Sequence, residues 1–333
     1  MNIAIIGATG NVGRKLLEVL EQKQLPIDQL YLVASAKSVG KKINFKGKER
    51  EVYDLENYDF SKAEITFFAA GGKISEQYAE KASKQTAIID NSSFFRMDTS
   101  VPLIVPQVNP EAIKDMKKNI IANPNCSTAQ LVIALKPLHD EFNIKRVIVS
   151  TYQSVSGAGK ASMDELIDQT KLSLDKKKIN SKNFTKQIAF NAIPHIDVFA
   201  DDGYTKEELK MINETKKILD NKIEITATCV RIPVLVSHSE SVNIEFEKSF
   251  SLEKIYSLLE SANGCEVYDK REDGGYITPL EAEGKNETYI SRIRKDKTKK
   301  NSINIWIVSD NLLRGAALNA VEIAELLIKK NNG

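Results

Sequence analysis

The chain has 333 residues, of which 42% are hydrophobic and 28% are charged, a balance typical of globular proteins. Its 47 Lys and Arg residues nearly equal its 45 Asp and Glu residues, and the net charge of +2 argues against general binding of nucleic acid. No segment reaches the roughly 18 apolar residues of a membrane span, so neither nucleic acid nor a membrane is expected as a partner. A chain of this length is expected to form about two domains.

The N-terminus and the cysteines indicate the compartment. Residues 1–6 lack the basic region, the long apolar region and the cleavage site of a signal peptide, so they are expected to belong to the fold. Cys126, Cys229 and Cys265 are odd in number and far apart, so they form neither a disulfide framework nor a metal knuckle. These features predict a reduced, cytoplasmic protein that binds no metal.

The first part of the chain alternates apolar runs with helical periodicity. Apolar runs predict buried strands at residues 3–6, 30–34, 65–70 and 87–89. After the first run, Leu16, Leu17, Val19 and Leu20 recur at the spacing of a helix. Strands that alternate with helices need crossover connections, which produce a parallel sheet. This part is therefore predicted to be α/β.

From about residue 127 the pattern changes to longer helices and strands. Helices are predicted at residues 128–142, 161–172 and 206–219, and an amphipathic helix closes the chain at residues 312–328. Strands are predicted at residues 145–151, 225–233, 241–246, 289–294 and 303–308. Residues 171–186 and 264–287 are expected to be loops. Strands that face one helical layer indicate an α+β domain with a mixed, largely antiparallel sheet.

A glycine-rich loop lies between the first predicted strand and the first predicted helix. Glycines permit a tight turn and a close approach of the backbone, and the start of a helix offers N–H groups to a pyrophosphate. The spacing G-x-x-G-x-x-G differs from the commonest dinucleotide motif, and a plain strand-to-helix turn is the alternative. The residues predicted to bind a cofactor here are Gly7, Thr9, Gly10, Asn11, Val12 and Gly13.

The end of the second predicted strand favours NADP over NAD. An NAD site usually carries Asp or Glu at this point to accept the ribose hydroxyls. The segment here has no carboxylate and contains Ser35, Ala36, Lys37, Lys41 and Lys42. Hydroxyls and a lysine suit a 2′-phosphate through charge-assisted hydrogen bonds, although a loop that is simply polar has the same composition.

Cys126 is the candidate nucleophile. It follows the segment Asn-Pro-Asn at residues 123–125 and precedes a predicted helix, whose free N–H groups and dipole stabilise a thiolate. A single cysteine is more often a small core residue, and Cys229, inside an apolar predicted strand, fits that alternative. Cys265 has no neighbour in the sequence that would activate a thiol.

A cysteine nucleophile needs a partner that handles protons, and the chain has three histidines. His238 lies in the polar segment S-H-S-E-S between two predicted strands, a place where functional sites tend to be built. His139 and His195 have no comparable surroundings. His238 is therefore the candidate base.

Two arginines are candidates for binding anions. Arg96 follows the end of a predicted strand, and Arg231 stands in an otherwise apolar predicted strand. The guanidinium fork suits a carboxylate or a phosphate. For Arg231 a structural salt bridge is an equally good explanation on local grounds.

Taken together, these segments resemble the aspartate-β-semialdehyde dehydrogenase family. The resemblance is carried in order along nearly the whole chain by residues 7–13, 90–96, 123–128, 151–159, 190–199, 229–241 and 308–316. It implies an NADP-binding Rossmann domain of residues 1–126, completed by a helix of residues 312–333, and a catalytic and dimerisation domain of residues 127–311. It further implies a homodimer that uses NADPH to convert L-aspartyl-4-phosphate into L-aspartate 4-semialdehyde and phosphate. This reaction serves lysine (through diaminopimelate), threonine and methionine biosynthesis.

The resemblance also implies roles for individual residues. Cys126 is implied to form an acyl-thioester, His238 to be the general acid/base, and Gln153 to orient the substrate. The implied substrate contacts are Arg231 for the α-carboxylate, Arg96 and Lys210 for the phosphate, Glu208 for the amino group, and Asn125. Ser156, Gly157 and Asn311 are implied to line the cofactor, together with the glycine loop and residues 35–37.

Two alternatives belong to neighbouring classes. N-acetyl-glutamyl-phosphate reductases combine a similar loop with cysteine and histidine, but residues 123–128 and 230–241 fit the aspartate enzymes better. A non-catalytic NADP-sensing protein keeps the glycine loop, but it has no need for Cys126, His238 and two arginines together.

Overall fold

A computed structural model describes residues 1–23 and 25–332 of the chain, with only the backbone given for residues 331 and 332. The chain divides into two compact units. The first contains residues 1–125 and the chain from Ala316 onward, and the second is Cys126–Gly315. Residue 333, where the predicted first domain ends, lies outside the described residues. No helix in the described part of the chain is both long enough and apolar enough to cross a membrane.

Helices and strands follow the predicted alternation in the first unit and the predicted mixture in the second. The helices are α1 (Asn11–Gln22), α2 (Gly72–Ala82), α3 (Cys126–Phe142), α4 (Lys160–Leu174), α5 (Lys206–Ile218), α6 (Leu252–Ser261), α7 (Pro279–Ala282) and α8 (Leu318–Asn332). The strands are β1 (Asn2–Ile6), β2 (Gln29–Ala34), β3 (Lys42–Phe45), β4 (Lys48–Asp54), β5 (Ile65–Phe68), β6 (Ala87–Asp90), β7 (Ile120–Ala122), β8 (Ile144–Gln153), β9 (Glu224–Arg231), β10 (His238–Phe246), β11 (Cys265–Val267), β12 (Thr288–Lys295) and β13 (Ser302–Ser309). The segments expected to be loops therefore contain the end of α4, β11 and α7.

The first unit is built on a largely parallel sheet in the order β3-β4-β2-β1-β5-β6-β7. β1 pairs in parallel with both β2 and β5. Its side chains from Ile3 to Ile6 are fully buried, because both faces of a parallel sheet are covered, and this explains the unbroken apolar run. The predicted α/β class is confirmed. The glycine loop leaves the carboxyl end of β1, where folds of this kind bind their ligands.

The hairpin of β3 and β4 at the edge of this sheet is absent from the sequence prediction. The two strands pair around Lys46 and Gly47, whose φ angles of 50° and 74° are those of a two-residue hairpin turn. Most side chains of the two strands are exposed, so hydrophobic periodicity carries little signal there.

The second unit is built on a mixed sheet in the order β11-β12-β13-β10-β8-β9. β10 is antiparallel to both of its neighbours, whereas the pairs β8–β9 and β11–β12 are parallel. α3, α5 and α6 contribute Leu131, Met211 and Leu259 to the same core cluster as Val242 and Ile244 of β10. The predicted α+β class with a mixed sheet is confirmed.

The final helix begins differently from the prediction of a continuous helix over residues 312–328. Leu313–Ala317 form a π-helical turn, and α8 begins at Leu318. The carboxylate of Asp310 accepts hydrogen bonds from the backbone N–H groups of Leu312 (2.8 Å) and Leu313 (3.1 Å), which fixes the start of the turn. A π turn is a local widening that apolar periodicity does not reveal.

Candidate active site

The glycine loop of the first unit has the close backbone contacts of a dinucleotide loop. A Cβ on Gly13 would lie 2.2 Å from the carbonyl oxygen of Gly7, and a Cβ on Gly7 would lie 2.6 Å from the carbonyl oxygen of Ala69. Gly7 also has a φ of +87°, which side-chain-bearing residues rarely adopt. Gly10 is the N-cap of α1 and provides no side chain to cap it, so the helix start is open to an anion.

The segment at the carboxyl end of β2 presents polar side chains to solvent. Ser35 is the N-cap of a short 3-10 turn, Ala36–Ser38, and the side chains of Ser35, Ala36 and Lys37 are exposed. Lys42 lies on β3, with its Nζ 2.9 Å from the carboxylate of Glu49. Lys37 is exposed beside Ser35 at the end of β2, and its contact with a 2′-phosphate stays a prediction.

Arg96 is held on the backbone after β6. Its Nε donates to the carbonyl oxygen of Asn123 at 2.9 Å, and its Nη2 donates to that of Asn91 at 3.0 Å. Both acceptors are carbonyl oxygens of the backbone, and they orient the guanidinium. Asp90 anchors the preceding turn by accepting from the backbone N–H of Ser92 at 2.9 Å. Asn125, the residue before Cys126, is buried.

In the second unit, the register of three strands gathers polar residues at one edge of the sheet. β8 and β9 run parallel with Gln153 opposite Arg231, so both strands end at this edge. β10 is antiparallel to β8 and begins at the same edge with His238, one residue before the pair of Ser239 with Tyr152. Three predicted site residues are thereby brought together, although Gln153 is far from the other two in sequence.

Cys126 is the first residue of α3 and is partly exposed. A Cβ on Gly315, in the π turn, would lie 2.5 Å from the Cβ of Cys126. Because folded proteins do not show Cβ contacts that short, a glycine is needed at residue 315. The position at the start of α3 places Cys126 at the positive end of the helix dipole, which stabilises a thiolate.

Arg231 is buried at the end of β9. Its Nη1 donates to the carbonyl oxygen of Ser154 at 2.6 Å, and among the described residues no carboxylate lies within ion-pair distance of it. Burial lowers the pKa of the Arg231 guanidinium, and the negative charges of Glu207 and a Cys126 thiolate act in the opposite direction. Within the described part of the chain, the structural salt bridge considered for Arg231 is thus not formed, and its positive charge is available to an anionic group of a substrate.

Glu207 links two of the predicted substrate residues. Nε2 of Gln153 donates to one carboxylate oxygen of Glu207 at 3.1 Å, and Nζ of Lys210 lies 3.2 Å from the other. Lys210 also pairs with Asp197 at 2.7 Å. Burial lowers the pKa of Lys210, but the charges of Glu207 and Asp197 outweigh it and the pKa is raised, so the ammonium group stays charged.

Glu208, the carboxylate predicted for the amino group, faces away from this cluster. One of its oxygens accepts from the backbone N–H of Thr205 at 2.7 Å, which completes a capping box at the start of α5. The other accepts from the backbone N–H of Cys229 at 3.0 Å. The prediction therefore has to be moved by one residue: because Thr205 caps the helix, the side chain that faces Gln153 is Glu207.

His238 is fully buried at the start of β10. Its Nδ1 accepts a hydrogen bond from the backbone N–H of Ser154 at 3.0 Å, whereas Nε2 has no partner among the described residues. A Cβ on Gly157 would lie 3.2 Å from this Nε2 and 3.2 Å from Nη1 of Arg231, so the absence of a side chain there keeps the space before both groups open. Burial, and then the charge of Arg231, lowers the pKa of His238 to about 3, although Glu207 opposes the shift.

A buried polar network holds the backbone on both sides of His238. Ser237 has a φ of 73°, which is unusual for serine, and its N–H donates to Oδ1 of Asn311 at 2.9 Å. The same oxygen accepts from the hydroxyls of Ser154 and Ser156, both at 3.1 Å. Ser156 and Asn311, predicted to line the cofactor, thus bind each other and the segment before His238, and their contact with a cofactor stays a prediction.

Several residues of this site were not singled out by the sequence. Glu207, Ser154, Ser237 and Gly315 all contact a predicted site residue or fix its backbone. The pattern T-x-x-E at residues 205–208 is the signal that identifies Glu208 as a capping residue and leaves Glu207 for the site. The other three depend on contacts between distant segments.

Comparison with known proteins gives consistent results over the whole chain. The family described as "Semialdehyde dehydrogenase, NAD binding domain" matches residues 2–116, and "Semialdehyde dehydrogenase, dimerisation domain" matches residues 135–314. The chain is 52% identical to the aspartate-semialdehyde dehydrogenase of Aquifex aeolicus over 98% of each protein, and 49% identical to that of Campylobacter jejuni over 99% of this chain and 98% of the relative. Its fold is similar to the crystal structure of aspartate semialdehyde dehydrogenase II complexed with ASA from Vibrio cholerae, with a TM-score of 0.96, 46% identity and coverage of 98% of each chain.

Proposed function

The chain belongs to the semialdehyde dehydrogenase family, and from this premise we propose that it is an NADP-dependent aspartate-semialdehyde dehydrogenase. It converts L-aspartyl-4-phosphate into L-aspartate 4-semialdehyde and phosphate, for lysine, threonine and methionine biosynthesis. The observation that carries the proposal is that Cys126, at the start of α3, shares the second unit with Gln153, Arg231 and His238 at one sheet edge. The protein works as a homodimer in the cytoplasm.

The first unit fits the cofactor. Its glycine loop leaves no room for side chains at Gly7 and Gly13, and the open start of α1 suits a pyrophosphate. Ser35 and Lys37 are exposed at the end of β2, where they suit a 2′-phosphate. When bound, NADPH supplies the hydride that the reaction requires.

The second unit suits the amino-acid end of the substrate. Arg231, with its uncancelled charge, binds the α-carboxylate, and Glu207 binds the α-ammonium group opposite it. Gln153, already hydrogen-bonded to Glu207, orients the substrate carbonyl. Holding the amino-acid end by two charges directs the acyl phosphate towards Cys126. Lys210 and Arg96 keep the phosphate roles that the family resemblance implies.

The chemistry of this chain's residues is acyl transfer to sulfur. The Cys126 thiolate attacks the acyl carbon, a C–S bond forms, and the carbonyl oxygen becomes negative. When the carbonyl re-forms, the C–O bond to phosphate breaks and phosphate leaves with the bonding electrons. Nε2 of His238, which has no partner among the described residues, serves the carbonyl oxygen.

The test follows absorbance of the reduced nicotinamide in the reverse direction. Purified protein is mixed with L-aspartate 4-semialdehyde, phosphate and NADP, with parallel mixtures that lack phosphate or contain NAD. Phosphate-dependent NADPH formation is the expected result. Activity with N-acetyl-glutamate semialdehyde instead would contradict the substrate, and NADPH binding without turnover of either aldehyde would contradict the enzymatic role.

A further inference from the structure

Asn319 is a buried polar residue of the first unit that the proposed mechanism does not use. It is the second residue of α8, and its side chain is fully buried. Its Nδ2 donates to the carbonyl oxygen of Ile104 at 3.0 Å and to Oδ1 of Asn123 at 2.7 Å. Both hydrogens of the amide nitrogen are thus used, each on a different segment of the unit.

Backbone carbonyl groups fix the orientation of the two amides. A carbonyl oxygen can only accept, so the nitrogen of Asn319 has to face Ile104. Nδ2 of Asn123 likewise faces the carbonyl oxygen of Ala316, at 3.5 Å. Oδ1 of Asn123 is therefore the atom that accepts, and the contact is a hydrogen bond directed from α8 to Asn123.

Asn123 in turn holds the guanidinium of Arg96. Its backbone carbonyl oxygen accepts from Nε of Arg96 at 2.9 Å, and its backbone N–H donates to the carbonyl oxygen of Asp90 at 2.8 Å. The next residue, Pro124, has no N–H with which to anchor the following peptide. The side chain of Asn123 is thus an important restraint on the carbonyl that Arg96 contacts, and Asn319 holds this side chain.

We propose that Asn319 is a positioning residue for Arg96: through Asn123, it holds the guanidinium where it meets the phosphate group. The proposal rests on the proposed function, in which Arg96 has a phosphate role. Because Asn319 is fully buried, it acts through Asn123 and not on the substrate.

The other end of the Asn319 amide supports a role beyond stability. Its Oδ1 has no hydrogen-bond partner among the described residues. A buried oxygen without a donor is unfavourable for folding. What the amide contributes is therefore the pair of hydrogens on its nitrogen, and one of these holds Asn123.

Asn109 provides a matched control. It is a buried asparagine of the same unit, and its Nδ2 donates to the carbonyl oxygen of Leu103 at 2.9 Å. Its Oδ1 accepts from the backbone N–H of Val105, also at 2.9 Å. Both asparagines therefore hold the segment around Ile104, but in the described chain the side chain of Asn109 makes no hydrogen bond to Asn123.

The first test compares Asn319→Leu with Asn109→Leu in the assay with L-aspartate 4-semialdehyde, phosphate and NADP. A displaced guanidinium should raise KM for phosphate by about tenfold in Asn319→Leu, with KM for the aldehyde and the affinity for NADP unchanged. Asn109→Leu should keep the KM for phosphate of the unchanged protein. An equal KM for phosphate in both variants, or an equal loss towards all three ligands, would overturn the proposal. Absence of phosphate-dependent turnover in the unchanged protein would instead contradict the proposed function.

Urea unfolding separates positioning from a general loss of structure. Asn109→Leu leaves the N–H of Val105 without its acceptor, whereas Asn319→Leu also removes an unpaired oxygen. Asn109→Leu is therefore expected to be the less stable variant, although Asn319→Leu has the higher KM for phosphate. A KM that rises with the loss of stability would overturn the positioning role.

Asn123→Ala tests the path from Asn319 to Arg96. It removes the side-chain acceptor of Asn319 and keeps the backbone carbonyl that Arg96 uses. It should raise KM for phosphate as Asn319→Leu does, and the double variant should be no worse than either single one. Additive effects would overturn the path through Asn123.

The last test does not depend on the reaction. ¹H–¹⁵N spectra of the arginine Nε–H groups are recorded, and Arg96→Lys identifies the signal of Arg96 by its loss. This signal should shift in Asn319→Leu and stay in place in Asn109→Leu. A signal that is the same in both variants would overturn the link between Asn319 and Arg96, whatever the substrate of the enzyme is.

Discussion

The pair Glu207 and Glu208 provides a sharp test of the site, because the two carboxylates are adjacent in sequence and face different surroundings. Glu207 contacts Gln153 and Lys210, whereas Glu208 accepts from the backbone N–H groups of Thr205 and Cys229. Both are buried. Replacing each by glutamine changes the same chemical group in the same turn of α5, so the two variants control for each other.

Glu207→Gln is expected to affect catalysis and to leave stability almost unchanged. The variant loses the charge that faces the substrate ammonium, and a hydrogen bond to a charged group is worth about 1.5–3 kcal/mol. This corresponds to a fall of about 10- to 150-fold in kcat/KM for L-aspartate 4-semialdehyde. Lys210 keeps its pair with Asp197, 2.7 Å away, so the unfolding temperature should change little.

Glu208→Gln is expected to show the opposite pattern. Glutamine keeps one acceptor oxygen, but its NH₂ group faces one of the two backbone N–H groups, which loses its acceptor. The expected cost is about 1–3 kcal/mol in the free energy of unfolding, measured by thermal or urea unfolding at a fixed protein concentration. The kinetics of the folded enzyme should remain close to those of the unchanged protein.

The two variants are compared in the same reduced-nicotinamide assay and the same unfolding experiment. If Glu208→Gln lost activity at unchanged stability while Glu207→Gln behaved normally, the orientation of α5 derived from the Thr205 cap would be refuted. A fall of kcat/KM in both variants without any change in stability would place both carboxylates in the substrate site, which would equally contradict the assignment.

Three further substitutions test the geometry of the site. Cys126→Ala should abolish turnover and leave NADPH binding, measured by calorimetry, intact; loss of cofactor binding would make Cys126 a structural residue. Gly157→Ala would place a Cβ 3.2 Å from Nη1 of Arg231 and 3.2 Å from Nε2 of His238. The value of kcat/KM should therefore fall by about tenfold or more at similar stability. Unchanged kinetics would contradict the open space inferred in front of these two groups. Gly315→Ala would place a Cβ 2.5 Å from that of Cys126. The overpacking should lower the free energy of unfolding, measured by urea titration, by about 1–3 kcal/mol. An unaltered unfolding midpoint with full activity would show that the contact is less tight than described.

The orientation of Glu207 illustrates a feature that the sequence contains but that periodicity alone does not reveal. Assigning the site carboxylate from the order of residues in a family motif leaves the rotation of α5 undetermined. The rotation is set by the N-cap, and the pattern T-x-x-E at residues 205–208 is the signature of a capping box. With the cap identified, Glu208 belongs to the helix start and Glu207 to the site.

The sequence by itself determined the features that depend only on residues close together in the chain. The glycine loop needs only a strand, a turn and a helix in succession, and Cys126 needs only the start of a helix to have a stabilised thiolate. The spacing of apolar residues likewise indicated one α/β part and one α+β part, because a buried strand and a buried helix face each have their own apolar periodicity.

Only the tertiary structure decided how the catalytic groups are held. Ser154 and His238 are 84 residues apart and meet because β8 and β10 are antiparallel neighbours in the sheet. Gly315 approaches Cys126 because a π turn precedes α8. The pattern of apolar residues does not predict this turn. Such contacts depend on strand register and helix geometry across the fold. A local sequence pattern indicates whether its own segment is a buried strand or helix, but it does not specify which distant segment will contact it.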